Sequence, residues 1–468
     1  MRIDQSVCAL VGDRIRDAGL WRVPGVGSDG SRTHLISPQP FPLSSEQLDL
    51  LIKLGPALAS FYAAANDLYL RRRFDWVNDY LDRGKPDDLL RHAAMHYQKR
   101  ALPRVIRPDI LITDDGLVIT ELDSVPGGIG HLDCLSAAYE EAGFDLIGSP
   151  RGMRDGFAAI LRDAAGSDEP VCGIVVSDES EDYRPEMAYL AGELREAGMR
   201  AREIHPRDVE FTEEGLFADF DGARLRLDAV YRFFELFDLL NIPKSELICY
   251  AARKKLVTIT PPYKPHLEEK MLLALLHSET LTDYWRKSIG DDNLALLRRI
   301  VAPTYVLDNR PVPPHAEISG FQWRGGAIRD WRAICDATQK ERQIVIKPSG
   351  FSPLAWGSRG VVVGQDMSRD DWATAVGRAL GDFDRSPWVL QPFHDPSLLR
   401  VRYCDHERNT VREMEARVRL CPYYFVVGDQ AKLGGVMATA CPKDKKLIHG
   451  MVDAIIAPCG AESESMKV

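Results

Sequence analysis

The sequence predicts an α/β (α+β) fold in which mixed and antiparallel sheets accompany one small parallel sheet. Three observations along the 468 residues carry this prediction. A mainly helical region leads into an apolar hairpin at residues 104–125, a strand–helix–strand unit begins at about residue 170, and short strands alternate with helices in the last third. Strands separated by helices favour parallel pairing, whereas strands joined by tight turns pair antiparallel.

The first predicted domain, residues 1–165, combines helices with the hairpin. Residues 44–73 read SSEQLDLLIKLGPALASFYAAANDLYLRRR, with an apolar stripe at helical spacing and Ser44 or Ser45 as the expected N-cap. The hairpin is followed by HLDCLSAAYEEAG, a helix that Gly143 is expected to end, because glycine readily adopts the left-handed conformation found after helix C-termini.

The second predicted domain, residues 166–260, contains the parallel sheet. VCGIVV reads as a buried strand, the amphipathic segment PEMAYLAGELREAGMR follows it, and a further strand comes next, which indicates a β-α-β unit. Asp221-Gly222 predicts a hairpin turn in the same domain. The third predicted domain, residues 261–468, alternates helices and strands.

Composition narrows the classes of protein to which the chain can belong. The net charge of −10 argues against general nucleic-acid binding. The apolar runs read as too short for a membrane span, and charges interrupt the region where a signal peptide is apolar. The nine cysteines form neither a CxxC pair nor a zinc-type cluster, which favours reduced thiols in a cytoplasmic protein. Oligomeric state is left open.

The hairpin carries an unusual set of acidic side chains. Asp109 lies on its first strand and Glu121 and Asp123 lie on its second, and residues two apart on a strand share a face. Three neighbouring carboxylates repel one another unless a cation neutralises them. Hard oxygen ligands suit magnesium or manganese, and Arg107 flanks the acids on the same face. The alternative is an exposed sheet face with scattered acids.

A second feature is QIVIKPSGFSPLAWGSRGVVVG, in which Lys347 ends a β-branched strand. A buried ammonium needs an anionic partner, and a loop rich in glycine and serine can fold over phosphates through its backbone N–H groups. Six loop residues are candidates for such contacts: Ser349, Gly350, Gly357, Ser358, Arg359 and Gly360. The segment is not a Walker A loop, and a surface hairpin with a long loop is the alternative.

Three shorter segments carry further candidate residues. WVLQPF places Gln391 and Phe393 at the end of a hydrophobic strand, where main-chain groups and the glutamine amide can read an adenine edge. Lys270 starts the helix EEKMLLALL. Arg417 and Arg419 share one face of the strand EARVRLCPYYFVVG, and two guanidiniums prefer phosphate or carboxylate to each other. Taken alone, WVLQPF is better explained as a strand followed by a turn, and Lys270 as an exposed helical lysine.

The order of these features resembles the synthetase domain of glutathionylspermidine synthases. An Arg-x-Asp is followed, twelve residues beyond its Asp, by Glu-x-Asp. VYRFFELFD, ITPPYKPHLEEKMLLALL, IVIKPSG and WVLQPF then come in the family's order, and the match spans roughly residues 85–440. Members of that family are ATP-grasp ligases whose magnesium ligands precede the nucleotide-binding lysines, which reverses the usual ATP-grasp order.

The resemblance implies roles for the acids and the lysines. Asp109, Glu121 and Asp123 would bind magnesium or manganese, although the family usually has asparagine at the position of Asp123. Lys270 and Lys347 would contact the phosphates of ATP, together with the glycine- and serine-rich loop.

The resemblance also implies roles for the arginines and the hydrophobic strand. Arg107 would stabilise the transferring phosphoryl group, with either Arg417 or Arg419 as the second arginine. Gln391 and Phe393 would lie at the adenine.

The implied activity is that of an ATP-dependent carboxylate–amine ligase. ATP would phosphorylate the carboxylate of an amino acid or small peptide, and an amine would then displace phosphate to give an amide. Residues 166–260 would form a preATP-grasp-like domain, and residues 261–468 would form the nucleotide-binding region of an ATP-grasp fold. Three alternatives stay open: glutathionylspermidine synthetase itself, a small-molecule phosphotransferase, and a noncatalytic ATP-binding protein.

Overall fold

The structure is a computed structural model that describes residues 2–20, 34–149, 151–312, 316–355, 357–405, 408, 410–450 and 453–462. In these ranges the chain forms twelve α-helices and twenty strands. The helices are α1 (Arg2–Asp17), α2 (Ser45–Leu70), α3 (Asp75–Asp82), α4 (Asp87–Ala93), α5 (Ile129–Glu141), α6 (Gly152–Ala165), α7 (Arg184–Glu196), α8 (Ser245–Arg253), α9 (Met271–His277), α10 (Thr282–Ile289), α11 (Asp291–Ile300) and α12 (Arg369–Gly381).

The strands lie in five sheets within those ranges. They are β1 (Phe41–Leu43), β2 (Val105–Thr113), β3 (Gly116–Asp123), β4 (Val171–Val176), β5 (Arg200–Ile204), β6 (Glu210–Thr212), β7 (Gly215–Phe220), β8 (Ala223–Arg226), β9 (Ala229–Phe233), β10 (Thr258–Thr260), β11 (Tyr305–Val306), β12 (Gln322–Trp323), β13 (Gly326–Ala327), β14 (Ile344–Pro348), β15 (Val362–Val363), β16 (Trp388–Pro392), β17 (Leu398–Asp405), β18 (Thr410–Val427), β19 (Gln430–Pro442) and β20 (Ile455–Ala461).

The largest sheet has seven strands in the order β1-β20-β19-β18-β2-β3, with β17 paired to β18. All of its pairings are antiparallel except that of β1 with β20. The 18-residue β18 pairs with β17 along its first half and with β2 along its second half. The sheet therefore joins the early hairpin to the C-terminal strands.

A parallel sheet has the order β10-β9-β4-β5. Helix α7 connects β4 to β5, and all six residues of β4 are buried, as expected of a parallel strand covered on both faces. The hairpin β7–β8 turns at Asp221 and Gly222, whose φ angles of 55° and 89° are the positive values that a tight hairpin turn requires. The predicted α/β fold with a small parallel sheet is confirmed.

The third large element is the antiparallel sheet β11-β16-β14-β15. One face packs against α12, where Trp372 and Val376 share a core with Ile346 and Leu390. The remaining sheets are the three-stranded β6-β7-β8 and the hairpin β12–β13.

Helix α2 lies in the largest core. Its start forms a capping box, because Gln47 N donates to Ser44 Oγ at 3.2 Å and Ser44 N donates to Gln47 Oε1 at 3.0 Å. By its length and hydropathy α2 could span a membrane, so the prediction that the apolar runs are too short for a membrane span is wrong for this helix. It packs instead on the large sheet, where Tyr424 Oη donates to the Leu51 carbonyl at 2.7 Å. Core helices of globular proteins meet the same criteria.

Two cysteines differ from the expectation of reduced thiols. Cys8 of α1 and Cys404 of β17 form a disulfide, whereas the other seven cysteines are free.

Candidate active site

A cavity of about 600 Å³ opens where three sheets meet. Asp109 of β2 lines it from the large sheet, Lys347 of β14 from the antiparallel sheet, and Phe233 of β9 from the parallel sheet. Its volume falls in the range of roughly 300–1,000 Å³ that small-molecule sites occupy. A second cavity of about 70 Å³ adjoins it at Glu121 and Lys270.

Most of the residues predicted from the sequence line the larger cavity. These are Arg107, Asp109, Glu121, Asp123, Lys270, Lys347, Gly357, Ser358, Arg359 and Arg419. Gly350 lines the smaller cavity, and neither cavity is lined by Ser349, Gly360, Gln391, Phe393 or Arg417.

The hairpin aligns its charged residues in register. Arg107 of β2 pairs with Asp123 of β3, and Asp109 pairs with Glu121. A β-bulge follows, at which Thr120 of β3 has no partner residue on β2. Bulges of this kind turn the backbone locally and re-aim the groups beside them.

Arg107 lies between two carboxylates. Its Nε donates to Asp109 Oδ1 at 3.2 Å, its Nη2 is 3.0 Å from Asp123 Oδ2, and its Nη1 donates to the Gly127 carbonyl at 3.2 Å. Arg419 of β18 donates from Nη1 to Asp109 Oδ2 at 2.8 Å. Asp109 therefore lies between two guanidiniums, and Asp123 has one.

This difference sets the ionisation of the two aspartates. Burial raises the pKa of Asp109, but Arg419 and Arg107 outweigh burial and hold that pKa below its usual value. Burial also raises the pKa of Asp123, and because Arg107 is opposed by the charges of Asp109 and Glu121, this pKa stays above its usual value. A cation placed beside Asp123 would favour its ionised form.

Lys270 precedes α9 and faces the hairpin. Its Nζ lies 2.7 Å from Glu121 Oε1 and donates to the Ala355 carbonyl at 3.1 Å. Burial lowers the pKa of Lys270, and the attraction of Glu121 more than offsets burial, so that the pKa lies above its usual value. With 8% of its surface exposed, Lys270 is not a solvated helical lysine.

Lys347 approaches the bulge from the antiparallel sheet. Its Nζ donates to the Thr120 carbonyl at 2.9 Å, and no described carboxylate forms an ion pair with it. Burial lowers the pKa of Lys347 to about 8. A buried ammonium with only a carbonyl partner is suited to an incoming anion.

The loop after β14 borders the cavity at one end and packs into the protein at the other. Gly357 and Ser358 both have a φ of 60° and line the cavity, and Arg359 Nη1 is 2.7 Å from Glu179 Oε1. Ser349 is fully buried, where its carbonyl accepts from Lys270 N at 2.8 Å.

The two other loop glycines are fixed by packing. A Cβ at Gly350 would lie 2.7 Å from the Glu268 carbonyl, and one at Gly360 would lie 2.7 Å from Pro348 Cδ. Glycine is needed at both positions because other parts of the same chain lie too close for a side chain. Trp356, in the same loop, lies outside the described residues.

The structure directs Gln391 into the protein. Its Nε2 donates to Thr304 Oγ1 at 2.9 Å and to the Thr120 carbonyl at 3.2 Å, so both amide hydrogens are used. Phe393 follows β16, and its N–H donates to the Gln343 carbonyl at 2.9 Å.

The two arginines on β18 have different surroundings. Arg417 Nη2 is 3.4 Å from Asp395 Oδ1, whose side chain is 72% exposed, whereas Arg419 lines the cavity beside Asp109. Of the two positions that the sequence left open, the structure brings Arg419 to the carboxylates.

The predicted metal ligands are separated by their ion pairs. Among the described residues, no three His, Cys, Asp or Glu side chains lie close enough together to hold a metal ion. Glu121 and Asp123 nevertheless line both cavities, and their oxygens match the hard ligands that magnesium prefers. The donor chemistry fits the ion, while the present pairing with lysine and arginine occupies those donors.

The sequence reasoning missed several polar residues at the cavities, four of which carry weight below. They are Ser124, Glu186, Glu235 and Glu268. Glu186 Oε1 accepts from Gly128 N at 2.7 Å, and burial raises the pKa of Glu186 to about 7. Burial and then repulsion from Glu268 raise the pKa of Glu235 to about 8. The sequence signal that could have identified Glu235 is an acidic residue flanked by apolar residues in VYRFFELFD.

Comparison with known proteins bears on the fold. No protein-family model matches the chain, and no curated protein matches it. The chain is similar to the solved structure of a glutathione synthetase-like effector from Globodera pallida in its apo form, with a TM-score of 0.59, 12% identity, and coverage of 98% of this chain and 97% of that chain. A candidate gamma-glutamylcysteine synthetase from Methylobacillus flagellatus KT gives a TM-score of 0.41 at 12% identity, with coverage of 86% and 85%. The similarity to the first of these structures shows that the chain has the fold of a glutathione synthetase-like effector.

Proposed function

We propose that the protein is an ATP-dependent carboxylate–amine ligase of the cytoplasm. It would phosphorylate the carboxylate of an amino acid or small peptide with ATP and then join that acyl group to an amine, releasing ADP and phosphate. The observation that carries the proposal is a single cavity in which cations from two sheets and a helix start face the carboxylates of one hairpin. The cations are Arg107, Lys270, Lys347 and Arg419.

The two lysines suit the phosphates of ATP. Lys347 is 6% exposed and, within the described part of the chain, hydrogen-bonded only to the Thr120 carbonyl, and Lys270 reaches the same cavity from the start of α9. Charge-assisted hydrogen bonds from such groups are about twice as strong as neutral ones. At Lys347 a phosphate oxygen would replace a carbonyl contact by an ionic one, which supports nucleotide binding at the lysine end of the cavity.

The arginine end suits the reacting carboxylate and the transferring phosphoryl group. Arg419 Nε is buried and has no hydrogen-bond partner among the described residues, although Arg419 Nη1 is bound to Asp109. An unsatisfied buried donor costs roughly 1–3 kcal/mol, so an anion that accepts this N–H gains that energy. Asp109, which is also paired with Arg107, holds the Arg419 guanidinium in place, and fixed donors of this kind stabilise developing negative charge.

Magnesium would be held by the carboxylates of Glu121 and Asp123. When bound there, the ion would neutralise charge on the phosphates, which is the chemistry that carboxylate-bound magnesium supplies in phosphoryl transfer. In the structure Glu121 is paired with Lys270 and Asp123 with Arg107. Exchange of these partners would free the lysine and the arginine for the nucleotide and the acyl phosphate.

The loop that follows β14 would keep water away from the acyl phosphate. Ala355 accepts a hydrogen bond from Lys270, and Arg359 is paired with Glu179 in the loop after β4. Closed loops of this kind protect reactive intermediates from hydrolysis.

One experiment separates this proposal from its alternatives. Purified protein is incubated with ATP, magnesium and pairs drawn from a panel of amino acids, glutathione and amines that includes spermidine, and products are identified by mass spectrometry. ADP that forms only when an acid and an amine are both present supports ligation. A glutathione–spermidine product would identify the narrower activity implied by the sequence resemblance, and a phosphorylated acid as the end product would identify a phosphotransferase.

A matched pair of variants tests whether any turnover belongs to this cavity. Lys347→Met removes the buried cation, and Lys340→Met removes an exposed lysine near the same sheet. We expect loss of ADP formation in the first variant alone. ATP binding without turnover in the wild-type protein would favour a noncatalytic ATP-binding protein, and absence of nucleotide binding would refute the proposal.

A further inference from the structure

The smaller cavity beside the candidate active site has an acidic wall. It has a volume of about 70 Å³, several times the roughly 10–15 Å³ that one water needs. Four carboxylate side chains line it, those of Glu121, Asp123, Glu235 and Glu268. Because Glu121 and Asp123 also line the larger cavity, a group held in the smaller one would lie next to a substrate in the larger one.

Three of these carboxylates already have a cationic partner. Glu121 is paired with Lys270, Asp123 with Arg107, and Glu268 with Arg232. Within the described residues, the side chain of Glu235 makes no ion pair and no hydrogen bond. The cavity therefore keeps one carboxyl group without a counter-ion, and an ammonium beside it would favour its ionised form.

A hydroxyl group in the same wall also lacks a partner. Ser124 is 3% exposed and lines the cavity, and its Oγ has no hydrogen-bond partner among the described residues. A buried hydroxyl is normally hydrogen-bonded, so this oxygen and Glu235 together mark a place for a ligand with N–H or O–H donors.

The spacing of the acids favours an organic cation over a second metal ion held by protein side chains alone. No three of the described acidic, histidine or cysteine side chains converge closely enough for a metal. Metal–oxygen distances of roughly 2.0–2.6 Å require such convergence, whereas N–H···O contacts of about 2.8 Å from a larger ammonium group do not. A primary ammonium also brings three donors, which match a carboxylate, a hydroxyl and a second acid.

We propose that this small cavity is the subsite for the acceptor amine, which binds as a primary ammonium against Glu235 and Ser124, and that Glu235 accepts its proton. The inference rests on the proposed ligase function and specifies one of its substrates. The amine would bind on one side of Asp123, in the smaller cavity. The acyl phosphate would lie on the other side of Asp123, in the larger cavity.

The chemical step balances with the groups named. A proton moves from the ammonium to a carboxylate oxygen of Glu235, which frees the nitrogen lone pair to attack the acyl carbon. The C–N bond forms, the bond between that carbon and the phosphate oxygen breaks, and phosphate leaves with the electron pair. The second proton lost from nitrogen goes to the departing phosphate, which leaves a secondary amide.

The test compares two nucleophiles. Wild-type protein, Glu235→Gln and Ser124→Ala are given ATP, magnesium and the carboxylate panel, with either methylamine or hydroxylamine as the acceptor. Hydroxylamine is uncharged at neutral pH and needs no ammonium subsite, so the hydroxamate reports formation of the acyl phosphate. Glu196→Gln, which changes an exposed glutamate on α7, is the matched control.

We expect Glu235→Gln to lower amide formation about 100-fold more than hydroxamate formation, which is the lower range of what a positioned proton acceptor contributes. We expect Ser124→Ala to raise the KM for methylamine about ten-fold, as loss of a hydrogen bond to a charged group would do. Glu196→Gln should change neither product. Equal losses of amide and hydroxamate in Glu235→Gln, or no loss of either, would overturn the proposal.

Binding of methylammonium separates this inference from the ligase proposal. If wild-type protein forms neither product, the ligase proposal fails, and NMR titration with methylammonium chloride still decides the subsite. Binding that is weakened in Glu235→Gln, and is absent with tetramethylammonium chloride, which has no N–H donors, would support the subsite. Equal binding of both salts, or none, would refute it.

Discussion

Lys347 of β14 donates a hydrogen bond from Nζ to the carbonyl of Thr120 at 2.9 Å, and Thr120 is the bulged residue of β3. This contact joins the antiparallel sheet that contains β14 to the large sheet that contains β3. The bulge turns a main-chain oxygen toward the lysine just before Glu121 and Asp123 reach the cavity. A single backbone irregularity thus positions the proposed phosphate-binding cation beside the proposed metal ligands.

The protonation of Lys347 makes nucleotide affinity depend on pH. Burial lowers its pKa to about 8 from 10.5, so the protonated form decreases in the free protein as pH rises from 7 to 9. Because phosphate binding requires the ammonium, we expect the Kd for a non-hydrolysable ATP analogue to rise above pH 8, by up to about ten-fold per pH unit. Isothermal titration calorimetry across this range measures the effect.

Lys347→Arg is the control for that pH profile. A guanidinium stays charged at every pH in the experiment, so its Kd should be nearly constant between pH 7 and 9. The same slope in Lys347→Arg and in the wild type would assign the pH dependence to another group.

Glu121 is expected to be necessary for turnover. Its carboxylate lines both cavities and neutralises Lys270, so Glu121→Ala removes a proposed magnesium ligand and leaves the lysine unpaired. We expect activity to fall to background while the circular dichroism spectrum is retained. Asp115→Ala, at the exposed turn of the same hairpin, should keep wild-type activity. Full activity in Glu121→Ala would remove Glu121 from the metal site.

The sequence was a good guide to elements whose signal is local. The hairpin was predicted because alternating apolar residues flank a turn, whereas the bulge in its register is what brings Asp109 opposite Glu121. The parallel sheet followed from an apolar strand before an amphipathic helix. Lys347 was identified as a buried lysine from a local signal too, because it ends a β-branched strand.

Side-chain direction at strand ends was harder to predict, because it depends on partners far along the chain. Gln391 follows the strand pattern, but its amide is bound by Thr304 and by the Thr120 carbonyl, neither of which its own segment indicates. Arg417 and Arg419 lie two residues apart on one face of β18, and their local sequence does not distinguish them. The pairing of β18 with β2 is what brings Arg419 to Asp109. The bulge at Thr120 likewise has no signature in the sequence.

Asp109 is expected to be important for stability as well as chemistry. It is 8% exposed and lies between Arg107 and Arg419, so Asp109→Asn leaves two buried guanidiniums without their shared counter-charge. Breaking a buried pair costs about 3–5 kcal/mol, whereas an exposed pair contributes about 0–1 kcal/mol. Asp395→Asn, which breaks the exposed pair with Arg417, is the matched comparison. Urea unfolding should show a large loss of stability in the first variant alone, and similar losses in both would contradict this account.

Glu186 is expected to make stability fall with rising pH. It is 6% exposed, and burial raises its pKa to about 7 from 4.5, so the folded state holds its proton in a range where the unfolded state has lost it. The folded protein therefore binds more protons than the unfolded chain between those values, and stability must decrease as pH rises through them, by roughly 3 kcal/mol in total.

Glu186→Gln removes this titration while its amide oxygen can still accept the hydrogen bond from Gly128 N. At pH 5 the variant should have nearly the same Tm as the wild type, because the wild-type carboxyl is then largely neutral in the folded state. At pH 7.5 the variant should have the higher Tm, since the wild type has by then lost the stability linked to the proton. Glu196→Gln, on the exposed side of the same helix, should track the wild type at both values. A Tm difference between Glu186→Gln and wild type that does not change with pH would mean that the carboxyl of Glu186 is already ionised in the fold.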